Sequence, residues 1–458
     1  MVNLDDIKSL YFIGVGGIGM SALARYFSFH GKSVSGYDRT ETFLTRQLVN
    51  EGINVIYSDA AELAPKDADL VVYTPAVPTA HPQLNYYRSA GYALMKRSEV
   101  LGAITRSTFN ICVAGTHGKT TVSTMVAHIL RHSGYGCNAF LGGIAANYNS
   151  NFWSNERSVC VVEADEFDRS FLHLTPDVAV VTAADPDHLD IYGTEESVRD
   201  AFVAFTGKIK PGGMLFSKKG LTIEPRFNTK KRLTYSLKDQ NADVYSRNVR
   251  LLNGYYVFDV QLQHQVIDEV ALNMGGLHNV ENATVAIAIA SELGIESDAI
   301  RNAVEEFKGV KRRFEYIVKK KNVVYIDDYA HHPEELATLI SSARDLFPHL
   351  KCLVVFQPHL YTRTRDFAEG FAHSLDLADE VILLPVYAAR ESPIDGVESL
   401  MLATKMRKAK VIVADKQEAL AILNKDIREN DEHLIITAGA GDIDTMVDDI
   451  KNLLNAKK

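Results

Sequence analysis

The segment NICVAGTHGKTTVSTMVAHIL, residues 110–130, joins an apolar strand-like run to a glycine turn and to a helix with apolar residues at helical spacing. Gly115 and Gly118 allow backbone N–H groups to point toward an anion, and Lys119 places a cation beside them. Thr120 offers a hydroxyl group for a metal ion at the start of the helix. The strict P-loop pattern has one more glycine upstream, so the segment predicts a shortened phosphate-binding loop. The alternative is an ordinary strand-to-helix turn.

Two later segments, SVCVVEADEFD and DVAVVTAADPDHLDIYG, each contain an apolar strand that ends in a carboxylate-rich loop. Their polar residues are Glu163, Asp165, Asp185, Asp187, His188 and Asp190. Mg²⁺ prefers carboxylate and hydroxyl oxygens, so Glu163 together with Thr120 is a candidate magnesium site. A solvated acidic loop is the alternative. His188 differs from the rest because imidazole more often binds a transition metal, so this histidine could equally be structural.

The sequence GVGGIG places Gly14, Gly16 and Gly19 in the G-x-G-x-x-G pattern, and Asp38 follows about 20 residues later. Taken alone, this is the fingerprint of a dinucleotide such as NAD. The same turn could hold the pyrophosphate of a UDP-sugar, because both ligands require only close backbone approach and a helix N-terminus. A dehydrogenase needs no second phosphate loop, so two such turns suggest one site for an energy source and one for a substrate.

The last third of the chain contains IDDYAHHPEE and FQPHLYTRTRD, which are rich in histidine and arginine. A guanidinium group can hold a carboxylate through two parallel hydrogen bonds. Arg363 or Arg365 is therefore a candidate anchor for the carboxylate of an amino acid or sugar acid. A solvated cationic loop is the alternative.

These residues need parallel sheets to bring them together, since ligands in such sheets bind at the carboxyl ends of the strands. A strand, glycine turn, helix and strand open the chain, and a polar break at RSTFN ends the first block. Short alternating runs from about residue 213 to 273, such as RLTYSL, predict an antiparallel meander within the second block. Five apolar runs separated by helical patterns predict a doubly wound third block.

The expected fold class is α/β with three domains. Residues 1–107 form a Rossmann-like domain, 108–312 a P-loop ATPase-like domain with a mixed sheet, and 313–458 a doubly wound domain. A chain of 458 residues exceeds what one hydrophobic core usually organises, which agrees with this division.

Composition excludes several classes of protein. No apolar run reaches about 18 residues and the N-terminus is acidic, so we expect a cytoplasmic protein with no membrane partner. The net charge of −9 includes no lysine- or arginine-rich stripe, so no nucleic-acid partner is expected. The four cysteines lack C-x-x-C spacing and are expected to lie in the core.

A set of motifs, taken together and in order, resembles the Mur ligases over essentially the whole chain. They are GVGGIGMSALA, AGTHGKTT, VVEADEFDRSF, DHLD, GLHNVENA, RRFE, DDYAHHP, FQPHLYTRTRD, PVYAARESPI and GAGDID. In this family the first domain binds a UDP-sugar, the central domain ATP and the last domain the incoming amino acid. The resemblance implies the same assignment for the domains 1–107, 108–312 and 313–458.

The resemblance also implies roles for individual residues. The ATP-binding residues are Gly115, Thr116, His117, Gly118, Lys119, Thr120, Thr121, His278, Asn279, Asn282 and Arg313. The UDP-sugar-binding residues are Gly14, Gly16, Gly17, Gly19 and Asp38, and the amino-acid-binding residues are Tyr329, His331, His359 and Arg363. The catalytic residues are Lys119, Glu163, His188, His331 and Arg363, and the metal ligands are Thr120, Glu163 and His188.

The chemistry that the resemblance implies is the formation of an amide bond driven by ATP. ATP phosphorylates the lactyl carboxylate of UDP-N-acetylmuramate, and the amine of L-alanine attacks the acyl phosphate, with Mg²⁺, or alternatively Mn²⁺, as the metal. A monomer and a homodimer are both compatible with the sequence. Two positions depart from the family pattern, Leu360 where arginine is usual and Arg390 where a small residue is common. Both bear on the choice of alanine more than on the reaction.

Three alternatives to this function remain. A ligase of the same superfamily joins the same UDP-sugar to a preformed tripeptide. The glycine fingerprint alone would also allow a nicotinamide-dependent oxidoreductase. A non-catalytic nucleotide-binding regulator is the third.

Overall fold

The structure is a computed structural model, and within the residues that it describes the strands form three sheets of five, ten and six strands. The described residues are 4–186, 189–252, 254–389, 391–429 and 432–456. The chain divides into two compact units. The first comprises 1–248, 258–270 and 281–307, and the second 249–257, 271–280 and 308–458. None of the helices in the described ranges is long and apolar enough to cross a membrane.

The first sheet is built from alternating strands and helices. They are β1 Ser9–Ile13, α1 Ile18–Phe29, β2 Ser33–Tyr37, α2 Phe43–Asn50, β3 Asn54–Ile56, β4 Leu70–Tyr73, α3 Pro82–Ser89, β5 Leu94–Lys96 and α4 Arg97–Ser107. The strand order is β3-β2-β1-β4-β5, and every pair is parallel. The predicted Rossmann-like arrangement is confirmed. After β1 the chain adds β2 and β3 on one side of that strand, and then reverses to add β4 and β5 on the other side. The crevice at such a reversal is where open α/β sheets bind ligands, and the glycine turn after β1 lies there.

The second sheet is mixed, as predicted. Its elements are β6 Phe109–Ala114, α5 Lys119–His132, β7 Asn138–Ala145, β8 Ser150–Trp153, β9 Val159–Glu163, β10 Val178–Val181, α6 Leu189–Tyr192, α7 Glu195–Thr206, β11 Met214–Lys218, β12 Lys231–Ser236, β13 Val244–Leu252, β14 Tyr255–Gln261, β15 Val266–Leu272, α8 Leu277–Glu292 and α9 Ser297–Glu306. The order is β15-β14-β13-β12-β11-β10-β6-β9-β7-β8. Strand β6 is parallel to both β9 and β10, so the three strands end at one edge of the sheet.

The prediction of an antiparallel meander from residue 213 was wrong in its first half. Strands β11 and β12 pair in parallel, and so do β12 and the start of β13. The antiparallel part begins at β13, because the connections from β13 to β14 and from β14 to β15 are too short for a parallel crossover. Alternating hydrophobicity reports that one face of a strand is buried, and it does not report the direction of the neighbouring strand.

The third sheet follows the predicted doubly wound pattern. Its elements are β16 Glu315–Lys319, β17 Val323–Asp328, α10 Pro333–Leu346, β18 Lys351–Phe356, α11 Tyr361–Asp366, α12 Ala368–Leu375, β19 Glu380–Leu383, α13 Ser399–Ala403, β20 Lys410–Val413, α14 Lys416–Glu429, β21 His433–Ala438 and α15 Val447–Ala456. The five predicted runs are the parallel strands β17-β21-β18-β19-β20. Strand β16 was not predicted, and it pairs antiparallel to β17 at the edge.

Helix α1 packs the first sheet against the second within the first unit. The Arg25 side chain, 7% exposed, pairs with Glu51 at 2.6 Å and donates to Asn151 at 3.0 Å, and Asn151 lies on β8. The rings of Tyr26 and Phe140 lie 5.3 Å apart on the same face. These contacts fix the glycine turn that precedes α1 relative to the central sheet. The four cysteines are buried and free, as expected.

Helix α5 is held against α9 by a buried histidine. His128 Nε2 lies 2.8 Å from the carbonyl oxygen of Ala303, and the Tyr148 hydroxyl lies 2.8 Å from Nδ1. A carbonyl can only accept, so Nε2 carries the proton and Nδ1 accepts from the tyrosine. Burial lowers the pKa of His128 to about 4, although the Ala303 carbonyl opposes this shift. The imidazole is therefore neutral in the folded protein at neutral pH.

Because the pKa of His128 is lowered by folding, we expect the folded protein to be less stable in acid. An unfolded histidine binds a proton below about pH 6.5, whereas folded His128 does so only near pH 4, so the unfolded state is favoured increasingly as the pH falls between these values. The full effect is about 3 kcal/mol. Replacing His128 with Gln should flatten the dependence of the melting temperature on pH between 6.5 and 4.5, measured by calorimetry.

His132→Gln is the matched control, because His132 lies one turn further along α5 and is more exposed, facing Glu306. It should leave that slope in place. A His128→Gln protein with the parental slope would show that another group causes the acid sensitivity.

Candidate active site

The predicted phosphate loop connects β6 to α5 and is braced by the end of β10. Gly115 and Gly118 have φ angles of +138° and +81°, which side chains other than glycine rarely adopt. A Cβ atom on Gly115 would lie 2.1 Å from the Thr182 hydroxyl, so the loop can approach β10 only with glycine there. The Thr116 amide donates to Ala183 at 3.3 Å, and the Thr182 hydroxyl donates to the His117 carbonyl. The loop is therefore rigid before any ligand arrives.

Lys119 is folded back onto its own loop. Its ammonium group donates to the Gly115 carbonyl at 2.7 Å and to Glu166 Oε1 at 2.8 Å. The Glu166 side chain is only 2% exposed, and burial raises the pKa of its carboxyl group against the attraction of Lys119. The sequence reasoning identified Lys119 but missed Glu166, which is one of several carboxylates in a single acidic loop.

Glu163, at the end of β9, connects the helix start to the neighbouring strand. The Thr120 hydroxyl donates to Glu163 Oε1 at 2.9 Å, and the Gly142 amide of β7 donates to Oε2 at 2.8 Å. Burial raises the pKa of Glu163, although the charge of Lys119 acts in the opposite direction. A hydroxyl and a carboxylate are hard oxygen donors, and Mg²⁺ commonly takes one or two protein oxygens alongside phosphate and water. The pair therefore fits this ion.

The third predicted metal ligand, His188, lies outside the described residues, as does Asp187. Among the residues that the structure does describe, no group of three or more His, Cys, Asp and Glu side chains converges as a metal site.

The predicted adenine-binding residues lie at the start of α8. Asn282, 9% exposed, lies beside the phosphate loop, since a Cβ atom on Gly118 would be 2.9 Å from its Oδ1 atom. Asn279 is buried and donates to the Gly275 carbonyl at 2.7 Å, and the exposed His278 ring lies over Gly276. Asn282 is thus placed at the loop, while the contacts of the other two brace the turn that precedes the helix.

The first glycine turn, between β1 and α1, is held in shape by Asp38. Gly14 has a φ angle of +89°, and its amide donates to the Tyr37 carbonyl at 2.8 Å. The Gly16 amide donates to Asp38 Oδ2 at 2.7 Å, and a Cβ atom on Gly16 would lie 2.8 Å from the same oxygen. In the dinucleotide fingerprint this acid binds a ribose hydroxyl. Here one of its oxygens also holds the turn in shape.

A cleft of about 270 Å³ lies between this turn and the central sheet. Its lining includes Gly17, Gly19, Arg97, Gly142 and Glu163. Arg97 begins α4, and a Cβ atom on Gly19 would lie 3.0 Å from its Cδ atom. An arginine beside a glycine turn and a helix N-terminus suits a pyrophosphate. Sequence reasoning missed Arg97 because it is distant in sequence from the turn.

In the second unit, the predicted amino-acid-binding residues lie in one row. Ring centroids are 5.3 Å apart for Tyr329 and His331, 6.2 Å for His331 and His359, and 5.8 Å for His359 and Tyr387. Burial lowers the pKa of His331 despite the nearby Glu335 carboxylate. Arg363 Nη1 lies 3.3 Å from His359 Nδ1. The structure therefore brings all four predicted residues together and adds Tyr387.

Arg363 and Arg365 differ in their partners. Arg365 is half exposed and pairs with its neighbour Asp366 at 2.7 Å. Within the described ranges, no carboxylate pairs with Arg363. Leu360, the residue immediately before α11, has a φ angle of +68°, a strained conformation that costs roughly 1–3 kcal/mol. Its amide donates to the Tyr387 carbonyl at 2.9 Å, which keeps His359 beside Tyr387. The other family departure, Arg390, lies outside the described residues.

Two acids, Asp327 and Asp328, end β17 just before Tyr329. Burial raises the pKa of Asp327 to about 7 and of Asp328 to about 6. Asp328 accepts from the backbone amides of Phe314 and Ala330, both at 2.7 Å. The guanidinium groups of Arg312 and Arg313 lie 5.0 Å and 5.6 Å from the Tyr329 ring centroid. Arg313 is exposed, and its predicted role at the ATP phosphates stays a prediction.

Family models and known proteins match nearly the whole chain. Residues 9–108 match the Mur ligase family catalytic domain, 113–290 the Mur ligase middle domain, and 312–441 the Mur ligase glutamate ligase domain. The UDP-N-acetylmuramate–L-alanine ligase of Flavobacterium johnsoniae is 46% identical over 99% of both chains.

Solved structures show the same fold. The UDP-N-acetylmuramate-alanine ligase of Thermotoga maritima has a TM-score of 0.81 and 28% identity, covering 98% of this chain and all of that one. A murein peptide ligase from Psychrobacter arcticus has a TM-score of 0.65 and 21% identity over 98% of each chain, which shows a shared fold alone. Because a full-length relative is 46% identical and the three family domains follow one another in order, the chain belongs to the Mur ligase family.

Proposed function

We propose that this enzyme joins L-alanine to the lactyl carboxylate of UDP-N-acetylmuramate, using ATP and forming an acyl phosphate on the way. It thereby supplies a precursor for peptidoglycan synthesis. The observation that carries the proposal is the identity of 46%, over 99% of both chains, with a relative named for this reaction. The geometry supports it, because the phosphate loop, the first glycine turn and the row of rings each follow the carboxyl ends of parallel strands.

The loop from Gly115 to Thr121 would hold the ATP phosphates. Its backbone amides and the N-terminus of α5 favour an anion, and Lys119 is close enough to neutralise a transferring phosphoryl group. Asn282 lies at the same loop. We propose ATP-binding roles for His278, Asn279 and Arg313 on the family pattern alone. The chain's task in this step is to position the phosphate against the substrate carboxylate and to exclude water.

Mg²⁺, once bound, would neutralise charge on the phosphates and orient them. Thr120 and Glu163 provide oxygen donors that fit the ion, and the Gly142 amide fixes the direction of the carboxylate. We propose His188 as a further ligand on the family pattern, and Mn²⁺ as an alternative metal.

The cleft beside the first glycine turn would take the UDP-sugar. Gly14, Gly16, Gly17 and Gly19 allow the backbone to approach a pyrophosphate, and Asp38 keeps the turn in shape. Arg97 adds a guanidinium group on the same cleft. Because Glu163 also lines this cleft, the sugar's carboxylate would meet the transferring phosphate there.

The row of rings in the second unit would bind L-alanine. Arg363 can hold the amino-acid carboxylate through two hydrogen bonds and leave the amine free to attack. The lowered pKa of His331 keeps its imidazole neutral, so it can accept a proton from the ammonium group of L-alanine and release the amine that attacks. Tyr329 and His359 would line the pocket on either side.

We propose the domain limits 1–107, 108–312 and 313–458 for these three tasks, and a cytoplasmic location, since ATP and nucleotide sugars are cytoplasmic compounds. A monomer and a homodimer remain equally compatible with the proposal. The tripeptide ligase is the second candidate. It is less favoured because full-length relatives at 43–46% identity are named for the ligation of L-alanine.

The first test is an assay of phosphate release in which each substrate is omitted in turn. Release should require ATP, Mg²⁺, UDP-N-acetylmuramate and L-alanine together. Glycine or L-serine should replace alanine weakly, because one methyl group discriminates by only about 1–3 kcal/mol. Release at the same rate without either acceptor would contradict the proposal. A requirement for a tripeptide instead of alanine would support the second candidate.

A second prediction concerns Gly142. A methyl group there would lie 2.3 Å from one carboxylate oxygen of Glu163 and 2.5 Å from the other. The obstructing atoms end a flexible side chain, so Gly142→Ala should leave the melting temperature unchanged while Glu163 turns away from Thr120. The Mg²⁺ concentration for half-maximal activity should rise by roughly 10-fold, on the scale of losing a group that orients a metal ligand.

Gly207→Ala is the control, because Gly207 has an ordinary φ of −68° at the end of α7. It should not change the Mg²⁺ titration. If Gly142→Ala also leaves that titration unchanged, Glu163 is not the metal ligand.

A third prediction concerns Arg363. Arg363→Ala should raise the KM for L-alanine by the equivalent of about 2–5 kcal/mol, with the KM values for ATP and the UDP-sugar nearly unchanged. Lysine at this position should restore only part of the loss, because it cannot form the paired contact.

Arg365→Ala is the matched control on the same helix, since Arg365 already pairs with Asp366. It should change the KM for alanine little. If Arg365→Ala has the larger effect, or if Arg363→Ala weakens only ATP or UDP-sugar binding, the carboxylate anchor is elsewhere.

A further inference from the structure

The carboxylate of Glu166 occupies a position that the proposed reaction leaves unexplained. It lies 2.8 Å from the Lys119 ammonium group, and its side chain is 2% exposed. Its second oxygen, Oε2, is buried and accepts no hydrogen bond from any described residue. A buried carboxylate with one unsatisfied oxygen is costly, so Lys119 is its main source of stabilisation in this structure.

Lys119 has the corresponding constraint. Its other hydrogen bond goes to the carbonyl oxygen of Gly115, within the phosphate loop itself. Both hydrogen bonds turn the ammonium group back onto the loop. A phosphate bound in the loop would therefore compete with the Gly115 carbonyl and the Glu166 carboxylate for the same cation. The ammonium group keeps a third N–H donor for a phosphate, but Glu166 already neutralises part of its charge, so the carboxylate and the phosphate compete for one cation.

The surrounding backbone holds Glu166 in this place. The Tyr192 hydroxyl donates to the Glu166 carbonyl at 2.6 Å, and the Arg169 amide donates to the same oxygen at 2.9 Å. Glu166 immediately precedes the short 3₁₀ helix Phe167–His173, which packs Phe171 in the core. The carboxylate is therefore positioned by the fold and does not swing freely to solvent.

We propose that Glu166 is a positioning residue that holds Lys119 in the nucleotide-free enzyme and competes with the ATP phosphates for it. This inference rests on the proposed function, because it assigns the loop to ATP. Its consequence is that the empty enzyme binds nucleotide less tightly than the loop alone would allow. The contact with Glu166 also keeps Lys119 beside the phosphate loop before ATP binds.

The test is the binding of ATP, ADP and AMP without Mg²⁺ to the full chain, measured by calorimetry. Glu166→Gln keeps the size of the side chain and removes its charge. It should tighten the binding of ATP and ADP by at least about tenfold, since contacts between buried charges contribute that much or more. AMP, which lacks the phosphates that reach Lys119, should bind unchanged. Glu166→Asp retains the charge and should not tighten ATP binding.

Asp165→Asn is the matched control for a general change in charge. Asp165 is the adjacent carboxylate, lines the cleft and accepts from the Phe167 amide at 3.1 Å, a bond that asparagine can preserve. It makes no contact with Lys119 among the described interactions, so its removal should change ATP binding by less than about threefold, as for a screened partly exposed charge.

The competition requires Lys119, so a double-mutant cycle separates it from a structural effect. In a Lys119→Met background, Glu166→Gln should no longer tighten ATP binding. If Glu166→Gln fails to fold, Glu166→Met offers an apolar side chain of similar volume for the same comparison.

Unchanged or weaker ATP binding by a folded Glu166→Gln protein would overturn the inference, as would equal tightening in the absence of Lys119. If the parent enzyme binds no ATP even after Mg²⁺ is added, the proposed function fails instead. The two failures are therefore distinguishable.

Discussion

The hydrogen bonds of Glu163 connect the three parts of the candidate site in the first unit. Glu163 ends β9 opposite Val113 of β6, so its carboxylate reaches the edge where the phosphate loop begins. One oxygen accepts from Thr120 at the start of α5, and the other accepts from the backbone of β7. The bond from β7 requires close approach, since a Cβ atom on Gly142 would lie 2.3 Å from Glu163 Oε1. A shift of β9 by one residue would turn this side chain to the other face of the sheet and separate the loop from its acid.

The sequence predicted the parts of the structure whose signals are local. The phosphate loop, the first glycine turn and the five parallel strands of the third sheet each combine residue types within a short segment. Their polar residues converge because parallel strands end at one edge, which is a property of the fold class. The family resemblance grouped Tyr329, His331, His359 and Arg363 from two separate segments, and the structure places the four in one row.

The features that sequence reasoning missed depend on pairing between distant segments. Strand β12 is parallel to β11, but its alternating pattern would fit either direction. Arg97 lies on the cleft because β5 places the start of α4 near a turn some 80 residues earlier, and an arginine at a helix start carries no signal of that neighbour. Gly142 acts through its backbone amide, which donates to Glu163, and Glu166 acts through a buried carboxylate that accepts from Lys119. The residue types alone do not reveal either contact.

The balance of positive and negative charge at each site indicates what that site would bind. Around the phosphate loop, Glu163, Asp165 and Glu166 lie close together and Lys119 is the cation that acts on two of them, so the site favours an added cation. In the second unit the balance is opposite, because Arg363 has no carboxylate partner among the described residues and its neighbour His359 offers only a weak contact at 3.3 Å. A folded chain usually neutralises such groups internally, since an unpaired charge in a partly buried site costs free energy. Leu360 shows that strain is tolerated at the same place, which is expected where ligand binding, and not folding, determines the geometry. A divalent metal ion with phosphates at the first site and an amino-acid carboxylate at the second would each supply the missing charge, so binding and neutralisation would occur in the same step.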